Sequence, residues 1–323
     1  MASCIRKAAG IAAAVGAAAL AGAASLYLPY RVAFRSPLRD QNDIFRLPEG
    51  DQYLPRAEEM REMIRRMAAE PCELVSITSR DGLKLRGRLY LRGGEDAPVD
   101  LCFHGWRAVG LRDFSGGGLF LLGEGHNVLL VDQRAQGDSE GSTMTFGVLE
   151  RWDCLDWLDY IQTRPELRGP VTLYGVSMGA ATVLLASALP LPENVRCIIA
   201  DSPYSSPEAI LGKVSRDMGL PEKPALALLR GGAALFGGFR FQGISCAEAV
   251  RHAQVPILLI HGEEDRFVPP EMSREIAAAN PARVKLLTFP GAGHGLSYLT
   301  DTVRYCRETT EFCRLAKKTN QAP

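Results

Sequence analysis

The sequence predicts an α/β fold, with a mostly parallel sheet of eight strands flanked by helices and a helical cap between strands 6 and 7. Short apolar runs of strand length alternate with stretches of helical periodicity from residue 74 onward, as a parallel sheet requires. The first two strands meet at Asp81-Gly82, a dipeptide typical of a tight hairpin turn. The 54 residues from Ser202 to Val255 exceed an ordinary crossover, so they predict the cap.

The composition is that of a protein with a large apolar core. Of 323 residues, 46% are hydrophobic and 23% are charged, which suits one large domain with an appended tail. Basic and acidic residues number 37 each, so no overall charge attracts nucleic acid. The eight cysteines contain no C-x-x-C pair, and several lie in apolar runs. We therefore expect reduced core cysteines, without a zinc site or a disulfide framework.

The chain begins with an apolar segment. No charge occurs in the 23 residues between Lys7 and Arg31, and a helix of that length spans a bilayer core of about 30 Å. This pattern predicts that residues 1–35 are a single-pass membrane anchor that lies outside the core of the α/β domain. The alternative is a signal segment that is cleaved near Ala23, after which the protein is secreted, because the basic Arg6 and Lys7 precede the apolar run.

Residues 36–72 are predicted to be a linker followed by an amphipathic helix. Over residues 56–70 the side chains of Met60, Met63 and Met67 fall on one helical face. This face packs on the catalytic domain, or alternatively it contacts lipid or lines a substrate entrance, because flexible thioethers adapt to irregular apolar partners.

The α/β domain is predicted at residues 73–317, with the cap at about 202–254. Its strands are predicted at residues 74–78, 83–91, 99–103, 128–131, 171–174, 195–200, 257–260 and 284–289. Helices fill the intervals, and one of them is predicted at residues 147–161 from the near-helical spacing of its apolar side chains.

A serine follows the fifth strand in a sequence typical of a sharp turn. Ser177 lies in Gly175-Val176-Ser177-Met178-Gly179, between an apolar run and an alanine- and leucine-rich stretch. A serine hydroxyl is a weak nucleophile at neutral pH, so it has to be exposed, aimed at a base and set beside donors for an oxyanion. Gly175 permits the strained turn, and Gly179 lets the next helix pack close to the strand. We therefore predict Ser177 as a nucleophile.

This order of elements resembles the α/β-hydrolase fold, from residue 74 to the C-terminus. The shared motifs are the turn around Ser177, the His104-Gly105-Trp106 loop after the third strand, the turn at 132–141 and the late acid and histidine segments. The chain is similar to the membrane-anchored or secreted bacterial serine hydrolases of the ABHD13/BEM46-like group, which carry an N-terminal apolar segment before an esterase-like domain.

The resemblance implies a nucleophile, an acid and a histidine in that order along the chain. Asp265, after the seventh strand, best matches the acid, and Asp201 is the reserve candidate. His294, after the last strand, matches the base that takes the proton of Ser177, while Asp265 holds its tautomer. His104 and His261 also follow strands, but they come at the wrong chain positions and are expected to brace loops.

The resemblance also implies two backbone donors for the oxyanion. The first is the N–H of Met178, next after the nucleophile, and the second comes from Trp106 or a near neighbour in its loop. Only one glycine follows His104, whereas many lipases have a glycine-rich loop here. Alternatively, Trp106 forms a wall of the acyl pocket.

The predicted function is a serine hydrolase that cleaves an acyl ester of a small molecule or lipid through an acyl-enzyme intermediate. A peptidase or thioesterase of the same fold stays open as an alternative, and so does a non-catalytic binding protein. The sequence has no phosphate loop, metal-ligand cluster or dinucleotide fingerprint, so we expect no cofactor and no metal.

The cap sequence predicts a movable cover over the nucleophile. Residues 225–241 combine Leu229 and Phe236 with glycine pairs at 231–232 and 237–238. Such an apolar, glycine-hinged stretch is expected to lie over Ser177 and to present apolar side chains to an acyl chain. The alternative is a rigid core helix.

Overall fold

The computed structural model describes residues 22–36 and 44–319, and its strands form one sheet. The strands are β1 (Glu73–Thr78), β2 (Lys84–Tyr90), β3 (Val99–Phe103), β4 (Asn127–Asp132), β5 (Val171–Val176), β6 (Val195–Asp201), β7 (Ile257–Gly262) and β8 (Val284–Phe289). Their order across the sheet is β1-β2-β4-β3-β5-β6-β7-β8. Each predicted strand matches an observed one to within two residues at either end.

The sheet is mostly parallel. Only β2 runs against its neighbours, as it pairs antiparallel with β1 and with β4, while the other neighbouring strands pair parallel. All residues of β3 and β7 are buried, as expected of parallel strands covered on both faces. The predicted fold class, a mostly parallel eight-stranded sheet with flanking helices, is confirmed.

Helices cover both faces of the sheet. The helices are α1 (described over residues 22–33), α2 (Ala57–Ala69), α3 (Gly110–Asp113), α4 (Ser115–Gly123), α5 (Glu150–Thr163), α6 (Met178–Ala186), α7 (Pro207–Asp217), α8 (Glu222–Phe236), α9 (Cys246–Arg251), α10 (Pro270–Ala279), α11 (Ser297–Thr300) and α12 (Thr302–Thr319). The helix predicted at 147–161 begins later, as α5, because Phe146 and Gly147 have φ angles of 57° and 88° that no right-handed helix contains.

Two apolar cores lie on opposite faces of the sheet. In β3, Leu101 and Phe103 point into one core, and Cys102 between them points into the other, because successive side chains of a strand alternate. The first core is closed by α5, α6 and the helices α7 to α10. The second is closed by α2 to α4 and by α12. All nine residues of α6 are buried, so the helix that follows Ser177 is fixed within the first core.

The cap between β6 and β7 consists of α7, α8 and α9, as predicted, but α8 is not hinged in the way the sequence suggested. A Cβ at Gly231 would lie 2.8 Å from the side chain of Leu26, and one at Gly232 would lie 2.6 Å from the Leu26 backbone oxygen. The first glycine pair therefore allows α8 to pack closely against α1.

Helix α1 is part of the folded domain. Tyr30 and Phe34 are only 3% and 0% exposed, and the Phe34 ring packs edge-on against Phe146 and Phe239. The expectation that residues 1–35 lie outside the core is therefore wrong for residues 22–35, whereas residues 1–21 lie outside the described residues. No helix in the described part of the chain is long and apolar enough to cross a membrane.

Candidate active site

Ser177 lies on a strained turn between β5 and α6. Its φ of 54° and ψ of −113° are unusual for a residue with a side chain, and such strain clusters at functional sites. The two flanking glycines make this turn possible. A Cβ at Gly175 would lie 2.3 Å from the Gly179 oxygen, and one at Gly179 would lie 1.9 Å from the Phe103 oxygen. The chain can therefore turn sharply and pack α6 against β3 only because both positions lack side chains.

The three residues predicted as nucleophile, base and acid form one hydrogen-bonded chain. The Oγ of Ser177 lies 2.9 Å from Nε2 of His294, and Nδ1 of His294 lies 2.7 Å from Oδ2 of Asp265. A proton on Nδ1 makes both contacts hydrogen bonds: Nδ1–H donates to the carboxylate, and Nε2 accepts from the serine hydroxyl. The loops after β5, β7 and β8 bring these side chains together at the carboxyl edge of the sheet.

The Asp265 carboxylate is buried, yet it is held in its ionised form. Burial pushes the pKa of Asp265 upward, but hydrogen bonds from His261 and His294 and from the Val268 N–H outweigh it, and the pKa falls to about 2. Its Oδ1 accepts from the N–H groups of Phe267 and Val268, at 2.9 and 2.8 Å. The acid therefore carries a full negative charge beside His294 at neutral pH.

His261 braces the loop that carries Asp265. Its Nε2 lies 2.8 Å from the Val268 backbone oxygen and 3.2 Å from Oδ2 of Asp265, and its Nδ1 lies 2.6 Å from the Ser273 hydroxyl. These contacts agree with the prediction that His261 braces a loop. They also show that His261 contacts the carboxylate of Asp265 directly.

Asp201, the reserve acid, supports the site from a different position. Its carboxylate accepts from the hydroxyls of Ser202, at 3.0 Å, and Tyr305, at 3.1 Å, and has no recorded contact with the His294 ring nitrogens. Burial raises the pKa of Asp201 to about 6, against the lowering effect of those hydrogen bonds and nearby histidines. Its backbone oxygen accepts from the Ser177 N–H at 2.8 Å. Asp201 thus holds the turn of Ser177, whereas Asp265 contacts His294.

Two residues from the linker hold the backbone of His294, and sequence reasoning missed both. The Tyr53 hydroxyl donates to the His294 backbone oxygen at 3.0 Å, and the Gln52 side-chain oxygen accepts from the His294 N–H at 3.1 Å. Gly293 allows this approach, since a Cβ there would lie 2.1 Å from Oε1 of Gln52. No local motif marks Gln52 or Tyr53, because their partner lies more than two hundred residues later in the sequence.

The predicted oxyanion donors belong to two segments that adjoin Ser177. Met178 is the first residue of α6, where a backbone N–H has no acceptor within the helix. The loop after β3 passes beside the nucleophile, since a Cβ at Gly105 would lie 3.5 Å from Cβ of Ser177. The Gly105 N–H donates to Asp113 at 2.8 Å, which leaves the N–H of Trp106 as the next donor along this loop.

The indole of Trp106 points toward α1. Its Nε1–H donates to the Ala33 backbone oxygen at 3.2 Å, and the neighbouring Arg107 guanidinium donates to the Val32 oxygen at 2.8 Å. The guanidinium carbon lies 4.1 Å from the centre of the Trp106 ring. His104 braces the start of this loop, because its Nε2 accepts from the Gln133 N–H at 3.0 Å.

A cavity of about 590 Å³ opens at Ser177 and His294. Its walls come from the linker, from α2 and from the start of α4, and they include Met60 and Met63. None of the described cap residues, 202–254, lines it. The expectation that Leu229 and Phe236 face the substrate is therefore not supported: Leu229 is buried in the first core, and Phe236 packs on Tyr27 and Tyr30 of α1.

The site offers nucleophile, base and acid side chains. Over residues 22–36 and 44–319, no group of three or more histidine, cysteine, aspartate or glutamate side chains is arranged to hold a metal ion. The chemistry that these residues can perform is proton transfer and covalent attack by the serine oxygen.

Comparison with known proteins agrees with this site and fold. The sequence profile of the Alpha/beta hydrolase family matches residues 101–308, more than half of the chain. The chain is 26% identical over 189 residues to protein YqkD of Bacillus subtilis, which covers 58% of this chain and 62% of YqkD. It therefore spans less than two thirds of that relative. It is 25% identical over 261 residues to the bifunctional esterase/perhydrolase DCH of Acinetobacter calcoaceticus, which covers 68% of this chain and 92% of DCH.

The resemblance to the BEM46-like group is confirmed by protein bem46 of Schizosaccharomyces pombe, 24% identical over 234 residues, which covers 71% of this chain and 73% of bem46. Among solved structures, the Pyrococcus furiosus esterase Pf2001 shares the fold with a TM-score of 0.63 at 24% identity, over 77% of this chain and 92% of that one. The family profile and the shared fold identify the chain as a member of the alpha/beta hydrolase family.

Proposed function

We propose that the protein is a serine hydrolase that cleaves acyl esters through an acyl-enzyme intermediate. The observation that carries the proposal is the hydrogen-bonded chain from Ser177 through His294 to Asp265, which opens onto the cavity of about 590 Å³. A nucleophile on a strained turn, a base within reach and a buried ionised acid meet the requirements of acyl transfer. The relative DCH is named as an esterase, which favours an ester as substrate.

In the first half of the reaction, Oγ of Ser177 attacks the carbonyl carbon of the ester while Nε2 of His294 accepts the hydroxyl proton. The charge of Asp265 stabilises the imidazolium that forms. The backbone N–H groups of Met178 and Trp106 would donate to the negative oxygen of the tetrahedral intermediate. When that intermediate collapses, the bond to the alcohol oxygen breaks, and His294 returns the proton to the departing alcohol.

In the second half of the reaction, water takes the place of the alcohol. His294 accepts a proton from the water molecule as its oxygen attacks the acyl carbon on Ser177. The bond between Oγ and the acyl carbon then breaks, and Oγ recovers its proton from His294. The carboxylic acid leaves, and the side chains return to their starting protonation states.

The test is covalent labelling together with hydrolysis. Ser177→Ala should abolish both fluorophosphonate labelling and hydrolysis of p-nitrophenyl esters, because it removes only the attacking hydroxyl. The control is Ser187→Ala, at the end of the same helix, where the hydroxyl only donates to the Leu184 oxygen. Undiminished labelling of Ser177→Ala would contradict the proposal. Faster cleavage of matched anilides or thioesters than of esters would retain the serine mechanism but replace the ester as substrate.

We also propose that the apolar segment after Lys7 attaches the protein to a membrane. The absence of charges up to Arg31 supports attachment, but the burial of Tyr30 in the domain restricts it to the residues before Leu26. Deletion of residues 1–21 should move the protein from the membrane fraction to the soluble fraction and leave esterase activity intact. A mature chain that begins near Ala23 would indicate secretion after cleavage instead.

A further inference from the structure

Helices α2 and α4 pack against each other, and both line the cavity at Ser177. Ser177 and His294 line it, and so do Met60 and Met63 of α2 and Gly117 of α4. Arg46 and Glu49 also line it and form an exposed ion pair, with side chains 60% and 90% exposed, so this pair marks the solvent mouth. One part of the wall is apolar, with contributions from Phe114, Phe120 and Leu121, and another part carries the mostly buried ion pair of Arg112 and Asp113.

We propose that the apolar part of this cavity, along α2 and α4, binds a flexible aliphatic acyl chain, so that the substrates are esters of such chains. The inference rests on the proposed esterase function and names the acyl group that the site accepts. Carbonyl attack at Ser177 leaves the acyl chain to extend along the apolar wall. Methionine side chains suit this role, because unbranched thioethers adapt to a flexible chain. The apolar part of the wall, rather than the charged part at Arg112 and Asp113, is the surface that such a ligand would contact.

The first turn of α4 supports the proposal through three consecutive glycines. Glycine weakens a helix, so three in one turn call for a packing or a functional reason. Two of them have a packing reason: a Cβ at Gly116 would lie 2.5 Å from the Tyr298 ring and 2.8 Å from Sδ of Met63, and one at Gly118 would lie 3.0 Å from the Met67 methyl group.

Gly117 has no such packing reason. A Cβ added there would meet nothing within 4 Å, although Gly117 lies in the cavity wall. Glycine at this position therefore leaves empty the space into which any side chain would extend. We assign that space to the acyl chain.

The test is the dependence of kcat/KM on acyl length, measured with p-nitrophenyl acetate, hexanoate and dodecanoate. Gly117→Leu should lower kcat/KM for dodecanoate by about tenfold or more, and leave acetate hydrolysis and fluorophosphonate labelling of Ser177 nearly unchanged. The matched control is Gly123→Leu in the same helix, since a Cβ at Gly123 also meets nothing within 4 Å but Gly123 does not line the cavity. This control should keep the length profile of the unmodified enzyme.

A second variant keeps the proposal testable if Gly117→Leu does not fold. Met63→Ala widens the same space and should shift the optimum toward longer or bulkier acyl groups. An unchanged length profile in both folded variants, or a shift caused instead by Leu229→Ala and Phe236→Ala in the cap, would overturn the acyl site while the esterase proposal stands. Absence of both labelling and ester hydrolysis in the unmodified enzyme would overturn the esterase proposal itself.

Discussion

The indole N–H of Trp106 donates to the backbone oxygen of Ala33, 3.2 Å away, and so joins the loop after β3 to the last turn of α1. The next residue repeats the connection, because Arg107 donates to the Val32 oxygen at 2.8 Å. The last carbonyl groups of a helix lack partners within it and carry partial negative charge, so donors and cations stabilise them. The position of the proposed oxyanion loop therefore depends on a helix that precedes it by more than 70 residues in the sequence.

Trp106→Phe tests this dependence, because it keeps an aromatic ring but removes the N–H donor. We expect kcat for p-nitrophenyl acetate to fall by about fivefold, since a lost hydrogen bond of about 1 kcal/mol loosens the loop that carries an oxyanion donor. Trp152→Phe is the control, as Trp152 stacks with Arg80 on the surface and does not line the cavity. Equal kcat values for the Trp106 variant and the unmodified enzyme would show that the loop is held by other contacts.

His294→Ala should reduce kcat nearly as much as Ser177→Ala does. The two side chains share one hydrogen bond and one proton transfer, so they act as a unit, and the double variant should be little worse than either single variant. Steady-state kinetics of all three variants on one ester measures this. Losses that multiply in the double variant would mean that Ser177 and His294 contribute independently.

Asp265→Asn should lower kcat by roughly 100- to 10,000-fold, because the amide cannot stabilise an imidazolium and disturbs the tautomer of His294. Steady-state kinetics of the variant on one ester measures this.

The same substitution should change the stability of the fold. The folded pKa of about 2 lies below the unfolded value of 3.8, so the ionised carboxylate stabilises the fold above the unfolded pKa, by about 2 kcal/mol. The difference in free energy of unfolding between the unmodified protein and the variant should disappear as the pH falls through about 2. Urea unfolding at several acidic pH values measures it, and a constant difference would contradict the assigned pKa.

Asp201→Asn should show the opposite dependence. The folded pKa of about 6 lies above the model-peptide value of 3.8, so the folded state binds the proton more tightly. The contribution of protonated Asp201 to the free energy of unfolding is present below the unfolded pKa and is lost as the pH rises through about 6. The free energy of unfolding of the variant, relative to the unmodified protein, should therefore rise by up to about 3 kcal/mol between about pH 4 and about pH 7. A flat difference across this range would place the folded pKa near its ordinary value.

Phe34→Ala should destabilise the domain by about 3–5 kcal/mol, the usual cost of removing a buried aromatic ring. Leu28→Ala, in the helix α1 that precedes Phe34, should change stability by no more than about 0.5 kcal/mol, because Leu28 is 62% exposed. Chemical denaturation of both variants gives the comparison. Similar small losses in both would mean that α1 is not part of the cooperative unit.

Much of the site could be predicted because its residues lie in local patterns. Ser177 sits in a strand, turn and helix sequence, and Asp265 and His294 follow apolar strands whose order is fixed by the sheet. The walls of the cavity have no such pattern. Gln52, Tyr53 and the methionines of α2 precede the first strand, and they reach the site through contacts that are distant in sequence.

The error in the cap has a related cause. An apolar helix with a glycine pair looks the same in sequence whether it covers a substrate or packs on another helix. At Gly231 and Gly232 the partner is α1, which the sequence had suggested to be a membrane segment outside the core. The uncharged run gave no sign that its last residues, in α1, are docked on the domain.

The docking of α1 also affects how the chain is made. Phe34 packs against Phe239 and Phe241, which follow it by about 200 residues, so a ribosome adding roughly 5–20 residues per second synthesises them on the order of 10–40 seconds later. During this interval Tyr30 and Phe34 are already part of the nascent chain, but the cap residues that they contact have not yet been synthesised. Any delay in synthesis or folding of the cap lengthens the time for which this aromatic surface is open to chaperones and to aggregation.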